Sequence, residues 1–142
     1  NDIILNRKKV AGVLIENSIN QSGISESIIG IGFNVNQKED MLPAATSLAK
    51  QFERDYDLEE ILLKVVQRLE HYYLILRSGD FRFIHEAYES RLYLKDKVAY
   101  YEDAVGKFNG IIRRVYPDGV LEIENEDEIL KKYQFKEVRL LS

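Results

Sequence analysis

Two strand-like segments organise the chain: KKVAGVLIEN at residues 8–17 and IIGIGFNVN at residues 28–36. Successive side chains of a strand point to opposite faces. One face of the second segment is therefore an apolar core face: Ile29, Ile31, Phe33 and Val35. The other face is nearly bare backbone: Gly30, Gly32 and Asn34. Glycine inside strong β sequence marks a bulge, a bend or a close approach of backbone or ligand. The pattern therefore predicts either a shallow floor for a flat ligand or bends under tight packing.

Composition limits the function classes. The chain has 142 residues, one domain or one domain with a small appendage, and its 45% hydrophobic content is sufficient for a core. A net charge of −4 gives no basic field, so we expect no DNA binding by this chain. The absence of cysteine excludes disulfides and thiol chemistry. His71 and His85 have no ligand-spaced partner, so we expect no metal site formed by side chains.

The termini and hydropathy suggest where the protein works. No apolar run approaches the ~18 residues of a membrane span, and no signal peptide is visible, so we expect a cytoplasmic protein without membrane contact. The chain begins at Asn1, directly in strand-like sequence. We therefore expect it to be an excerpt of a longer protein.

The first part of the chain reads as strands followed by helices. A short strand at residues 2–6 turns into the first long strand, and the polar stretch 17–25 reads as a loop between the two long strands. Residues 37–48, with Pro43, form a loop that we expect to be mobile and to close over a ligand. A short helix at about 47–55 precedes a long helix that Asp57 caps and Gly79 ends. Asp80 caps a third helix, residues 81–92, and we expect the helices to cover the apolar face of the sheet.

From residue 94 the pattern changes to five short strands, which predict a small SH3-like barrel. The turn Tyr116-Pro117-Asp118-Gly119 contains a proline that fixes φ and a glycine that accepts positive φ. The acidic stretch 124–128 reads as an exposed hairpin tip. The fold class is therefore α+β.

Four blocks of sequence, in order and with their spacing, resemble the biotin protein ligases: ND at 1–2, RKKVAGVLIE at 7–16, GIGFNVN at 30–36 and PAATSL at 43–48. The terminal small barrel fits the same family. The resemblance implies a mixed β-sheet backed by helices, of the class II synthetase type. It assigns residues 1–93 to the C-terminal portion of the catalytic domain and residues 94–142 to the SH3-like C-terminal domain.

The resemblance also implies a reaction. Biotin and ATP form biotinyl-5'-adenylate and pyrophosphate, with Mg²⁺ accompanying the ATP. The biotinyl group then passes to a lysine of the biotin carboxyl carrier protein, a subunit of acetyl-CoA carboxylase. Both steps build negative charge on phosphoryl or carbonyl oxygens, so a fixed cation is the group that the site needs most.

The family motif Lys-x-x-Gly matches residues 9–12 and gives the catalytic role to Lys9. The resemblance further assigns biotin contacts to Lys9, Gly12, Leu14 and Phe33. It assigns ATP or adenylate contacts to Asn1, Asn34 and Arg139. In an ideal strand, however, Lys9 lies on the face opposite Gly12. Either a bulge redirects Lys9, or Lys8 is the functional cation; the motif spacing favours Lys9.

Other functions stay open at this point. A lipoate–protein ligase shares the fold and an Asn-Asp plus lysine motif, and a non-catalytic dimerisation or regulatory fragment is a reading of a different class. The family's glycine- and arginine-rich biotin and phosphate loop is absent from this sequence. We therefore expect the isolated chain to be inactive. Homodimerisation is compatible with the resemblance.

Overall fold

The computed structural model describes residues 1–21, 23–39, 41–134 and 136–141. Its elements in chain order are β1 (Asp2–Leu5), β2 (Lys8–Asn20), β3 (Gly23–Phe33), α1 (Leu48–Phe52), α2 (Leu58–Ser78), α3 (Phe81–Glu89), β4 (Val98–Asp103), β5 (Lys107–Val115), β6 (Leu121–Asn125), β7 (Leu130–Tyr133) and β8 (Val138–Leu141). The chain divides into two compact units, Asn1–Leu69 and Glu70–Ser142. This division falls within α2, and the domain boundary at residues 93 and 94 stays a prediction.

The first unit contains a three-stranded antiparallel sheet in the order β1-β2-β3. A two-residue turn at Asn6 and Arg7, with φ of 49° and 65°, joins β1 to β2. Positive φ at both positions is typical of tight hairpin turns, whose twist matches that of the strands.

The predicted polar loop over residues 17–25 is wrong. β2 continues to Asn20 and β3 begins at Gly23, with Asn20 paired to Gly23. The polar side chains satisfy one another across this ribbon: the Ser27 hydroxyl donates to the Asn17 side chain over 2.7 Å. Cross-strand pairing therefore outweighs the loop-like composition. Ser22, in the same stretch, lies outside the described residues.

The start and end of α2 and the start of α3 lie where local chemistry predicts, whereas α1 ends at Phe52 and α3 at Glu89, three residues before the predicted ends. The Asp57 carboxylate accepts the backbone N–H of Glu59 over 2.8 Å at the start of α2, and Gly79 follows its last residue with φ of 84°. Asp80 accepts the N–H of Phe83 over 3.0 Å and caps α3. No described helix is sufficiently long and apolar to span a membrane.

The expectation that the helices cover the apolar face of the first sheet stays a prediction, because the sheet belongs to the first unit while the end of α2 and all of α3 belong to the second. Neither α2 nor α3 contains a buried residue, and Ile29 and Ile31 remain 45% and 39% exposed. Burial in the first unit is concentrated elsewhere: Val10, Ala11, Val35, Thr46, Ser47 and Ala49. Backbone hydrogen bonds from residues 44–49 to the strand ends and to the residues that follow β3 explain this, because they draw that segment onto this part of the sheet.

The second unit contains a five-stranded antiparallel sheet in the order β7-β6-β5-β4-β8. Its core consists of Tyr101, Ile112, Ile123 and Tyr133, and Phe108 stacks against both tyrosines at ring distances of 5.8 Å and 6.2 Å. The five predicted strands and the α+β class are confirmed. Closure into a barrel is not, because among the described residues no pairing joins β7 to β8.

Candidate functional site

A β-bulge on β2 sets the geometry of the candidate site. Ile3 pairs with Ala11, but the next residue, Ile4, pairs with Lys9, so Val10 is an extra residue on β2. Val10 and Ala11 are 4% and 5% exposed, and two consecutive buried residues break the alternation of a regular strand. An extra residue shifts the side-chain parity beyond it. The bulge that would bring Lys9 to the face of Gly12 is therefore present.

The Lys9 side chain lies directly over Gly12. A Cβ atom added at Gly12 would lie 3.4 Å from both Cε and Nζ of Lys9. The Lys9 ammonium contacts the Asp2 carboxylate over 2.6 Å, and Asp2 pairs with Gly12 across the sheet. Both side chains are about half exposed. The ion pair therefore holds a cation above the glycine face while keeping it accessible.

A shallow hollow of about 450 Å³ opens beside this ion pair. Its size falls within the range of small-molecule sites, roughly 300–1,000 Å³. Among the described residues, apart from the chain neighbours of each glycine, no atom lies within 4 Å of the position that a Cβ of Gly32 would occupy, and a Cβ of Gly30 would meet only the Leu14 carbonyl oxygen at 3.7 Å. The floor is thus open backbone. The hollow is lined by Asn1, Asp2, Lys9, Gly12, Val13, Leu14, Gly30, Ile31 and Gly32.

The structure gathers some of the predicted site residues and separates others. Four of them line the hollow: Asn1, Lys9, Gly12 and Leu14. Phe33, Asn34 and the alternative cation Lys8 do not line it. Arg139 belongs to the second unit, where its Nε donates to a Glu102 carboxylate oxygen over 2.6 Å.

Asn1 and Asn34 use their amides to fasten the backbone. The Asn1 side-chain N–H donates to the Val13 carbonyl over 2.9 Å, and the Asn1 carbonyl accepts from the Val13 N–H over 2.7 Å. The Asn34 side-chain N–H donates to the Thr46 carbonyl over 3.1 Å. Both residues therefore hold the edges of the site in place.

Asp2 lines the hollow beside Lys9, a position that was not predicted from the Asn-Asp pair at residues 1–2. The signal was present: a two-residue turn at Asn6 and Arg7 brings the start of β1 back to β2 near Gly12. Only the position of the bulge was needed to place the carboxylate beside Lys9.

The predicted lid is anchored at its far end. The Lys9 N–H donates to the Ala44 carbonyl, and the Thr46 N–H donates to the Lys9 carbonyl, each over 2.8 Å. Thr46 and Ser47 are completely buried. Movement of this loop on ligand binding stays a prediction, and Asp40, within the loop, lies outside the described residues.

The described part of the chain contains no group of three or more histidine, cysteine, aspartate or glutamate side chains that could hold a metal ion. The prediction that Mg²⁺ accompanies ATP therefore depends on ligands that include the phosphates of the nucleotide.

The architecture places the chain in a known structural class. It matches the biotin protein ligase of Aquifex aeolicus in its apo form with a TM-score of 0.75 and 28% identity, covering 99% of this chain and 62% of that one. A structure of the same ligase in complex with biotin and ATP matches equally well, with a TM-score of 0.75 and 28% identity over 99% of this chain and 59% of that one. This class also agrees with the α+β fold predicted from sequence.

Sequence comparison identifies relatives in two Bacillus species. The chain is 30% identical over 138 residues to the bifunctional ligase/repressor BirA of Bacillus spizizenii, and 29% identical to that of Bacillus subtilis. Each match covers 94% of this chain and 42% of the relative, so the chain spans less than half the length of these proteins. No family model matches. The resemblance to the biotin protein ligases is confirmed in sequence and in fold along almost the whole chain.

Proposed function

We propose that this chain carries the charge-stabilising part of the active site of an ATP-dependent biotin protein ligase. One observation supports this most directly: the Val10 bulge sets the Lys9 ammonium over Gly12, beside a glycine-floored hollow. A catalytic cation must lie beside the reacting groups, and a flat ligand needs a floor without side chains. Lys9, Gly12, Gly30 and Gly32 meet both requirements.

In the proposed first step, a carboxylate oxygen of biotin attacks the α-phosphorus of ATP and pyrophosphate leaves. Negative charge grows on the phosphoryl oxygens in the transition state, where Lys9 would stabilise it. Asp2 would keep the lysine oriented, since its carboxylate contacts the ammonium over 2.6 Å. The fused ring of biotin would lie on the backbone of Gly30 and Gly32, with Leu14 at its side.

In the proposed second step, a lysine amine of the biotin carboxyl carrier protein attacks the carbonyl carbon of the mixed anhydride, an amide bond forms and AMP leaves. Mg²⁺ would enter with the ATP phosphates, and the setting would be the cytoplasm. Contacts of Asn34 and Arg139 with the adenylate, and of Phe33 with biotin, complete the proposal as the resemblance implies them.

Substitution of the two adjacent lysines tests the proposal. In the full-length protein, Lys9→Ala should lower the rate of pyrophosphate release with biotin and ATP by on the order of 10²–10³, the typical effect of losing one key electrostatic group. Lys8→Ala is the matched control and should change the rate little, because Lys8 does not line the hollow. An equal or larger loss in the Lys8 variant would transfer the catalytic role to Lys8.

The 142-residue chain alone should bind biotin weakly. High-affinity pockets enclose most of a small ligand, whereas here no atom from another described part of the chain lies within 4 Å of the position of a Cβ at Gly32. Calorimetric titration of the isolated chain with biotin measures this. Sub-micromolar binding would show that the described residues already enclose the ligand.

A further inference from the structure

The backbone of Lys9 is held from outside its own hairpin. Residues 44–46 run alongside it as an isolated parallel bridge, with Ala45 opposite Lys9. The Lys9 N–H donates to Ala44 and the Lys9 carbonyl accepts from Thr46, each over 2.8 Å. The bridge lies next to the bulged residue Val10. It therefore fixes the stretch of backbone that determines which face Lys9 occupies.

A glutamine on α1 secures this bridge. The Gln51 side-chain N–H donates over 2.9 Å to the hydroxyl of Thr46, which is completely buried. The Gln51 side-chain carbonyl accepts over 2.8 Å from the Asn6 amide, in the turn between β1 and β2. One side chain thus links the bridge beside Lys9 to the hairpin turn that brings Asp2 to Lys9.

We infer that Gln51 is a positioning residue for Lys9. It does not line the hollow, so it would act through the lysine rather than on a ligand. The inference rests on the proposed function for its kinetic part only; the position of Lys9 is a property of the fold. Without Gln51, the Thr46 hydroxyl and the Asn6 amide each lose a hydrogen bond, so the bridge and the turn that position Lys9 each lose a support and the lysine is held less firmly over the glycine face.

Three variants of the full-length protein isolate this role. Gln51→Ala removes both hydrogen bonds. Gln51→Glu retains both, because the Asn6 amide can donate to one carboxylate oxygen and the Thr46 hydroxyl can donate to the other. Gln67→Ala is the matched control, since it makes the same chemical change at an exposed position of α2.

The kinetic readout is biotin adenylation. Gln51→Ala should lower kcat by on the order of tenfold, less than the ~10²-fold cost of a 1 Å misplacement, with the KM for ATP unchanged. Gln51→Glu should recover most of the rate. In a Lys9→Ala background, Gln51→Ala should have no further effect, because the two residues act as one unit. A further tenfold loss in that background would mean a general structural role and would overturn the inference.

The second readout needs no enzymatic activity. Trace acetylation with acetic anhydride, followed by peptide mass spectrometry, gives the reactivity of Lys9 relative to Lys8. Gln51→Ala should raise this ratio by up to about fivefold, the equivalent of a surface ion pair, while Gln51→Glu and Gln67→Ala leave it unchanged. An unchanged ratio in Gln51→Ala overturns the inference. A raised ratio in a protein that makes no adenylate supports the inference and rejects the proposed function.

Discussion

The two sheets use glycine in opposite ways. In the second unit, a Cβ atom added at Gly110 would lie 2.6 Å from Cγ2 of Ile123, so this glycine leaves room for the packed Ile123 side chain. In the first unit, no atom of the described residues other than the chain neighbours lies within 4 Å of the corresponding position at Gly32. Both glycines lie in similar β sequence. A glycine in a strand can therefore mark either close packing or an open floor, and only the atoms around it distinguish the two.

Among the variants that test this comparison, Gly12→Val, in the glycine face of the first unit, should have the largest effect. A Cβ atom already reaches Lys9 at 3.4 Å, so the branches of valine must push the ammonium off the glycine face. We expect a loss of adenylation rate on the order of 10²-fold in the full-length protein, with little change in thermal stability because valine favours strands.

Gly32→Val is the companion variant for that experiment. It fills the open floor without touching Lys9, so it should raise the KM for biotin more than it lowers kcat. If Gly12→Val also changes only the KM, the contact between Gly12 and Lys9 has no role in the chemistry.

Gly110→Ala should destabilise the packed region instead. The added methyl group meets Ile123 at 2.6 Å and Phe108 at 3.0 Å, and overpacking of a core typically costs about 1–3 kcal/mol. Urea unfolding of the full-length protein measures the loss in the free energy of unfolding, and a separate hydrogen-exchange experiment measures it at the amides of β5. Gly32→Ala, at the open position, should leave the unfolding midpoint unchanged. Equal shifts of the unfolding midpoint in Gly110→Ala and Gly32→Ala would show that the two glycines do not differ in packing.

The smallest expected effect concerns Asp103 of the second unit, which is far less exposed than Asp2 of the first unit. Asp2 is half exposed beside Lys9, whereas the Asp103 side chain is only 7% exposed. The backbone N–H of Val105, together with the Tyr133 hydroxyl, holds the pKa of the Asp103 carboxyl below its ordinary value.

A lowered pKa in the folded state means that the unfolded state binds the proton more tightly. The contribution of Asp103 to stability should therefore be complete above the ordinary carboxyl pKa and should disappear as the pH falls through the lowered value. Asp103→Asn should flatten the decline of the unfolding midpoint below about pH 4. The same acid slope in the variant and in the unmodified protein would assign that decline to other carboxyls.

Local signals carried most of the successful sequence prediction. Asp57, Asp80 and Gly79 mark helix ends through contacts within a few residues, and the turn at Tyr116–Gly119 closes through a 2.8 Å backbone hydrogen bond. Such features are set by neighbouring residues, so the sequence alone is sufficient to find them.

The features that sequence did not locate depend on pairing between distant segments. The extension of β2 to Asn20 required knowing that polar residues would face each other across the ribbon. The exposure of Ile29 and Ile31 depends on what packs against that face, which periodicity does not report. The roles that we propose for Asp2 and Gln51 depend on the bulge at Val10 and on the bridge at residues 44–46, and neither feature leaves a local signature in the sequence.

The bulge also changes how the Lys-x-x-Gly spacing should be understood. In a regular strand only residues an even number of positions apart share a face, so a lysine three positions from a glycine cannot lie above it. Val10 supplies the missing odd step. Deleting Val10 would leave Lys9 two positions from Gly12 in a regular strand, so the lysine would stay on the glycine face without a bulge. The three-residue spacing of the motif therefore requires the bulge. A related sequence with a spacing of two or four residues could keep a lysine above the glycine without one.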